Sequence, residues 1–272
     1  MSVAPVTVAD CVALLDRLAP PDLHESWDNT GLLLGDPAAG VASITTCLTL
    51  TPDVAAEAIE RGDGLIVAHH PIFFRPVQQL TTNAAEGRMA LDLVRAGVAV
   101  FSPHARWDNA AGGINERLAR GFGLADPRPL RVRKDLTEAI GDDVPRGAGR
   151  IGKRKEQVSF AEFVQWVKAV MHLPGVDAVP TERPVRSVGV ACGSAGEYLS
   201  DAIAAGCDVF VTGEARFHTA LEARTAGVGL ILVGHYASER FSMEELAKEL
   251  AGYFPNLPVR PSDVERDPLV RL

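Results

Sequence analysis

No two cysteines in this 272-residue chain stand in a C-x-x-C pair, and the four present (Cys11, Cys47, Cys192 and Cys207) are far apart. That spacing predicts reduced core thiols and argues against a disulfide framework or a zinc–thiolate site. Nor is there an uncharged apolar run of the ~20 residues that a bilayer requires. The N-terminal stretch has no basic n-region, and Asp10 and Asp16 interrupt Val12-Ala13-Leu14-Leu15, so no secretory signal is expected. Positive charge is in deficit, with Lys+Arg 27 against Asp+Glu 35 and a net charge of −8. Without a basic excess there is no broad basic face, which argues against nucleic acid as the main partner. The expectation is a soluble, cytoplasmic protein that engages no membrane.

What the chain does have is ordinary globular material, 47% hydrophobic and 23% charged, which excludes a disordered polymer. Its length suits one large domain or two smaller lobes. Short β-branched runs predict strands at Ile44–Leu50, Leu65–Ala68, Val98–Ser102, Ser187–Ala191, Val209–Thr212 and Leu230–Val233. Most are apolar throughout, as strands covered on both faces are. Helical patterns lie between them. Pro52–Arg61 follows Thr51 and stops at Gly62, Ala84–Ala96 stops at Gly97, and Ala161–His172 follows Ser159. The alternation predicts an α/β fold with mixed sheets flanked by helices.

Two internal echoes extend this reading. The segment from Ala58 to Val67 resembles that from Ala202 to Val211, each a helix end, a glycine and a buried strand. Further on, Arg95-Ala96-Gly97-Val98 leads to His104 and Asp108, while Thr225-Ala226-Gly227-Val228 leads to His235 and Glu239. Two similar α/β lobes are therefore expected, residues 1–126 and 127–272, with 235–239 returning to a shared site in the cleft between them. The joint Ala125–Glu156 holds the basic clusters Arg131-Val132-Arg133-Lys134 and Lys153-Arg154-Lys155. These read as solvated loops or, alternatively, as holders of a phosphorylated substrate.

Five of the seven histidines sit just past apolar strand runs, where loops of α/β sheets converge on ligands. The most specific cluster is Ala68-His69-His70-Pro71. Burying two imidazoles behind an apolar strand is costly unless their nitrogens are satisfied, which points to metal ligation. Neighbouring side chains on a strand face opposite ways. Either Pro71 turns the chain so that both rings reach one site, or each serves a different ion. His235 and Glu239, four apart on a helical turn, share one face and can grip a single cation. Asp108 reads as a further or bridging ligand, and His104 as a ligand or a general acid/base. Glu214 and His218 have the same spacing and could be outer-shell groups or structural ones.

This mixed nitrogen/oxygen set suits Zn, Mn, Fe, Co or Ni. Five ligands (His69, His70, Asp108, His235 and Glu239) exceed what one open catalytic zinc needs but can serve two divalent ions. A pair ~3.5–4 Å apart lowers the pKa of a shared water toward ~7, which is hydrolytic chemistry.

Five ordered motifs span nearly the whole chain. They are Glu25-Ser26-Trp27-Asp28-Asn29-Thr30-Gly31 with its Leu32–Asp36 extension, Ala-His-His-Pro, Ser102-Pro103-His104 with Asp108 and Gly112–Asn115, Thr212-Gly213-Glu214 with His218, and Gly234-His235-Tyr236 with Glu239. In these the chain resembles the NGG-interacting-factor-three-like dinuclear metal-centre proteins, known also as GTP cyclohydrolase I type 2 homologues, in their short form. The resemblance implies a two-lobed α/β fold and a toroidal homohexamer built as a trimer of dimers. It implies as metal ligands His69, His70, Asp108, His235 and Glu239, with His104 close to the ions. Ala105-Arg106-Trp107 departs from the family pattern and is expected to set an aromatic and a cation beside the site. Glu214-Ala215-Arg216-Phe217-His218 departs mildly. The Trp27-Asp28-Asn29-Thr30-Gly31 stretch is turn chemistry by composition, and its recurrence in the family implies that it borders the cavity or buttresses the metals. The function implied is metal-dependent hydrolysis of a nucleotide or related phosphorylated small molecule. The alternatives are a non-catalytic metal-binding, scaffold or regulatory protein and a simple phosphoesterase.

Overall fold

In the computed structural model, which describes residues 5–133, 135 and 146–270, strand and helix alternate along most of the chain. Helix α1 (Val8–Leu18) leads to β1 (Gly31–Leu34), β2 (Ile44–Thr49), α2 (Pro52–Arg61), β3 (Leu65–His70), α3 (Ala85–Ala96), β4 (Ala99–Ser102) and α4 (His104–Asn109). There follow α5 (Ile114–Gly121), β5 (Leu124–Arg128), β6 (Arg131–Val132), β7 (Gly147–Ala148), β8 (Arg150–Val158), α6 (Phe160–Val170), β9 (Asp177–Val179), β10 (Val185–Ala191) and α7 (Leu199–Ala204). The chain ends through β11 (Val209–Thr212), α8 (Phe217–Ala226), β12 (Gly229–Leu232), α9 (His235–Tyr253) and β13 (Val259–Pro261).

Local chemistry sets these boundaries. The Thr51 hydroxyl accepts from the Val54 N–H, and Pro52 opens α2 where its missing N–H costs nothing. Ser159 and Glu162 form a reciprocal capping box at the start of α6. Helix α2 closes at Gly62, whose φ of 70° lets its N–H return to Ala58 and Ile59 carbonyls; Gly206, with φ 72°, makes the corresponding turn after α7. Each predicted strand is present within a few residues of its expected limits.

Two units divide the described chain by contact, residues 1–107 with 240–272 and residues 108–239. In the first, a mixed sheet runs β1-β4-β3-β2-β13. Strands β13, β2, β3 and β4 are parallel neighbours, and β1 is antiparallel to β4. Leu65, Ile66, Val67 and Ala68 of β3 are wholly buried, because both faces of this central strand are covered. Each large aliphatic side chain so buried contributes roughly 1.5–3 kcal/mol. In the second unit the sheet runs β5-β8-β10-β11-β12-β9, with β10, β11 and β12 parallel and the flanking strands antiparallel. Its core gathers Ile151, Leu199, Phe210 and Leu230. A two-stranded piece, β6-β7, completes it.

The echoed segments are the same element order twice: β2-α2-β3-α3-β4-α4 and β10-α7-β11-α8-β12-α9. Even the connecting hydrogen bonds match. Asp63 N–H reaches Ala58 O as Cys207 N–H reaches Ala202 O, and Val98 N–H reaches Leu93 O as Val228 N–H reaches Ala223 O.

Two expectations change. The boundary after residue 126 lies instead at 107/108, and residues 240–272 return to the first unit because β13 pairs in parallel with β2. Lys153-Arg154-Lys155 is not a loop but part of β8, where Lys153 pairs with Ser187 and Arg154 with Leu124. Arg154 lies over the Phe163 and Trp166 rings at 5.4 and 5.0 Å, which makes it a packing residue. Of the first basic cluster, Arg131 faces Tyr198 at 4.1 Å and pairs with Asp201 at 2.6 Å, while Lys134 lies outside the described residues.

Candidate metal centre

The parallel strands of each sheet carry their chemistry at their carboxyl ends, where loops can converge. In the first unit β3 ends at His70, opposite Thr49 of β2, and β4 ends two residues before His104. His69 and His70 are neighbours on the last two positions of β3, and their rings lie 5.2 Å apart. The His104 ring stands 5.3 Å from that of His69 and 5.8 Å from that of His70. One nitrogen from each of the three lies within 4.8 Å of the others. Metal–nitrogen bonds of ~2.0–2.1 Å can close that spacing with small side-chain adjustments, and the donors are of a kind that borderline divalent ions accept.

These rings are held from behind. Thr49 Oγ1 meets His70 Nδ1 at 2.8 Å, and the Ser102 hydroxyl donates to the His69 carbonyl at 2.6 Å. His104 Nδ1 meets Asp28 Oδ1 at 2.6 Å, and the Asp28 side chain is fully buried. The same carboxylate accepts the Ala105 N–H at 3.2 Å. His104 itself has φ 32°, a strained backbone that such support must maintain. With Nδ1 engaged by a carboxylate, Nε2 is the atom presented on the other side of the ring, as in oriented ligands and bases.

In the second unit, His235 opens α9, and its Nε2 meets Glu239 Oε2 at 3.1 Å, one turn on. Its Nδ1 meets Glu214 Oε1, just after β11, at 2.9 Å. The Glu239 hydrogen bond, opposed by burial and helped by the charges of Glu239 and Glu214, raises the His235 pKa to about 9. Without a metal, this imidazole holds the proton that a cation would displace. Gly193 makes room for the pair: its φ is 64°, and a Cβ there would collide with Glu239 Oε1. Its N–H donates to Ser238 Oγ at 2.9 Å.

Asp108 is steadied from two directions. The Cys192 thiol reaches its Oδ1 at 3.3 Å, and the Asn115 amide donates to its backbone carbonyl at 3.1 Å. Asn115 Oδ1 in turn accepts the Cys192 N–H at 2.7 Å. Burial first, then the Asp108 and Glu239 charges, push the Cys192 pKa well above its usual value, so this sulfur stays a neutral donor.

The structure thus groups His69, His70 and His104 in one unit, and His235 with Glu239 in the other. Asp28 lies in the Trp27–Gly31 stretch expected to border the cavity or buttress the metals, and it braces His104; Cys192 and Asn115 were not singled out in the sequence as partners of the site. Glu214 proves to be the carboxylate behind His235. Its four-residue spacing to His218 has no helical meaning, since α8 starts at Phe217, and the His218 ring packs on Phe217 at 5.8 Å. Arg106 and Trp107 are both buried, and the Arg106 guanidinium is taken up by Asp16 and the Ala19 carbonyl.

The family profile of Duf34/NIF3 (NGG1p interacting factor 3) matches residues 6–268. The chain belongs to that family. NIF3-family relatives agree over nearly the full length. The protein NIF3 homolog of Schizosaccharomyces pombe is 31% identical, covering 95% of this chain and 96% of that one. The GTP cyclohydrolase 1 type 2 of Helicobacter pylori (strain J99) is 28% identical over 86% of this chain and 87% of its own length. Among solved structures, a hypothetical protein of Staphylococcus aureus superposes with a TM-score of 0.86 at 28% identity, covering 98% of this chain and all of that one. A Bacillus cereus protein related to NIF3 has the same TM-score at 20% identity, covering 99% and 100%.

Proposed function

We propose that this NIF3-family chain is a metal-dependent hydrolase of a nucleotide or related phosphorylated small molecule. In this reading His69, His70, Asp108, His235 and Glu239 hold two divalent ions, and His104 is the proton-transfer group. The observation that supports it best is the braced imidazole group of His69, His70 and His104, with the buried Asp28 carboxylate behind His104. Imidazoles gathered only for packing have no need of a fully buried carboxylate. The name GTP cyclohydrolase 1 type 2 borne by the Helicobacter pylori relative supports the substrate class.

When bound, the ions would supply an acidified water and positive charge for the developing transition state. The chain's own residues do the rest. Asp28 fixes the His104 ring and stabilises it when it gains a proton, so that Nε2 can take a proton from the attacking water and return it to the leaving group. Glu214 does for His235 what Asp28 does for His104, and Cys192 and Asn115 keep Asp108 in place. We infer further a homohexamer in the cytoplasm, in keeping with the family resemblance.

The test is metal content followed by turnover. Freshly isolated protein should carry two ions per chain by elemental analysis, and His69→Ala/His70→Ala should lose them. Loaded protein should hydrolyse members of a nucleotide panel, GTP included, faster than that double variant. Two tightly held ions with no turnover across the panel would instead favour the non-catalytic metal-binding reading.

A further inference from the structure

Aromatic side chains are few in this protein, with three tryptophans and ten phenylalanines, so two exposed ones beside the imidazole group need a reason. Trp27 is 59% exposed and Phe74 49%. The Trp27 ring centre lies 6.0 Å from that of His104, at 87° to it, and the Phe74 ring centre lies 6.1 Å away at 88°. The two aromatic rings are themselves 6.2 Å apart and tilted by 57°. Large apolar rings left in water cost free energy that packing elsewhere would recover, and their common neighbour is the proposed proton-transfer group.

Both rings are fixed by construction. Trp27 directly precedes Asp28, whose carboxylate is bound to His104 and Ala105. The adjoining Asn29 amide donates to the carbonyls of Ile72 and Phe73, at 3.4 and 3.0 Å, which ties the Trp27 turn to the Phe74 turn. The Phe73 N–H donates to Glu86 at 2.9 Å, and Phe73 has φ 56°, a conformation that a bulky residue adopts only when held. Three polar clamps and one strained residue thus hold two rings open to solvent beside the histidines.

We propose that Trp27 and Phe74 form the ring-binding lip of the substrate site, taking the planar heteroaromatic part of the substrate. The tilt excludes a sandwich of three parallel rings. The ligand ring instead lies on the Trp27 indole face, and Phe74 meets its edge, in the offset and edge-to-face arrangements that aromatic quadrupoles favour. A nucleobase suits this place better than a hydrocarbon ring. Its face stacks on indole whatever the base, and its polar edge can reach the His104 ring beside it. The inference rests on the substrate class proposed above and narrows it: the base, not only the phosphate, is recognised.

The experiment is equilibrium binding of guanosine 5′-monophosphate and of ribose 5-phosphate to the full-length, metal-loaded protein. It is read by calorimetry and, for the nucleotide, by tryptophan fluorescence. Expected are quenching on nucleotide addition that Trp27→Ala abolishes and Trp166→Ala does not. Trp27→Ala should weaken nucleotide binding by about five- to a hundredfold, the span set by losing one base–aromatic stack, with a smaller loss for Phe74→Ala. Trp27→Phe should recover most of the affinity, and ribose 5-phosphate should bind all variants alike, which also shows that they are folded. Unchanged nucleotide affinity in Trp27→Ala overturns the proposal. So does a wild-type protein that binds both probes equally, or a variant whose only defect is altered assembly. Base-dependent binding without turnover would leave the lip standing and remove the hydrolase reading. Nucleotide turnover by the two-ion protein without base-dependent binding would do the reverse.

Discussion

His235 sits between Glu239 and Glu214, and its proton is worth most when no metal is present. Its folded pKa of about 9 exceeds the ordinary 6.5. A raised value means that the folded state binds the proton more tightly than the unfolded chain does. The stabilisation is therefore complete below pH 6.5 and fades as pH rises through about 9. Metal-free wild type should accordingly lose urea resistance between these limits relative to His235→Gln, measured as the difference in unfolding midpoints across pH. A difference that stays flat would remove this account. At this scale the sequence was legible where one residue type has few alternative uses, as in His69-His70-Pro71 and His235 with Glu239. It was not legible where the partner is a common residue far along the chain. Asp28 is 76 positions from His104, and Cys192 is 84 from Asp108, and no local pattern encodes either meeting.

At the scale of elements, punctuation was easy to read because it is local chemistry. Thr51, Gly62, Gly97 and Ser159 cap helices as their types predict, and the apolar runs are buried strands. Helix α6 offers a direct check. The Ser159 hydroxyl accepts the Glu162 N–H at 3.2 Å while Glu162 binds the Ser159 N–H at 2.8 Å. Ser159→Ala should cost about 1 kcal/mol in chemical denaturation, and Ser159→Gly only a few tenths, since glycine leaves the helix end open to water. Equal losses would mean that the hydroxyl is not what holds this end. Reading failed in the stretch from Ala125 to Glu156, where basic residues suggested loops. The alternation in β8, with Lys153 outward and Arg154 lying on Phe163 and Trp166, is a strand pattern that a run of like charges conceals.

For the whole molecule, no helix among the described residues is long and apolar enough to cross a membrane. Exposed Leu269, Val270 and Phe217, each more than 70% accessible, are apolar surface that self-association would cover. The proposed homohexamer should run in light scattering or native mass spectrometry at six times the 29.0 kDa chain mass. A monomer at micromolar concentration would remove it. Six buried strands, the helices between several of them, the repeated helix-end, glycine and strand pattern, and the candidate metal donors could be read from the sequence alone, because hydrophobic period, caps and rare residue types act over a few positions. Only the tertiary structure decided which unit residues 240–272 join, which carboxylate orients His104, and that Arg106 and Trp107 are core. Those outcomes depend on hydrogen bonds and packing between segments far apart in the chain, which form when the backbone has closed and leave no mark on the spacing of residues beforehand.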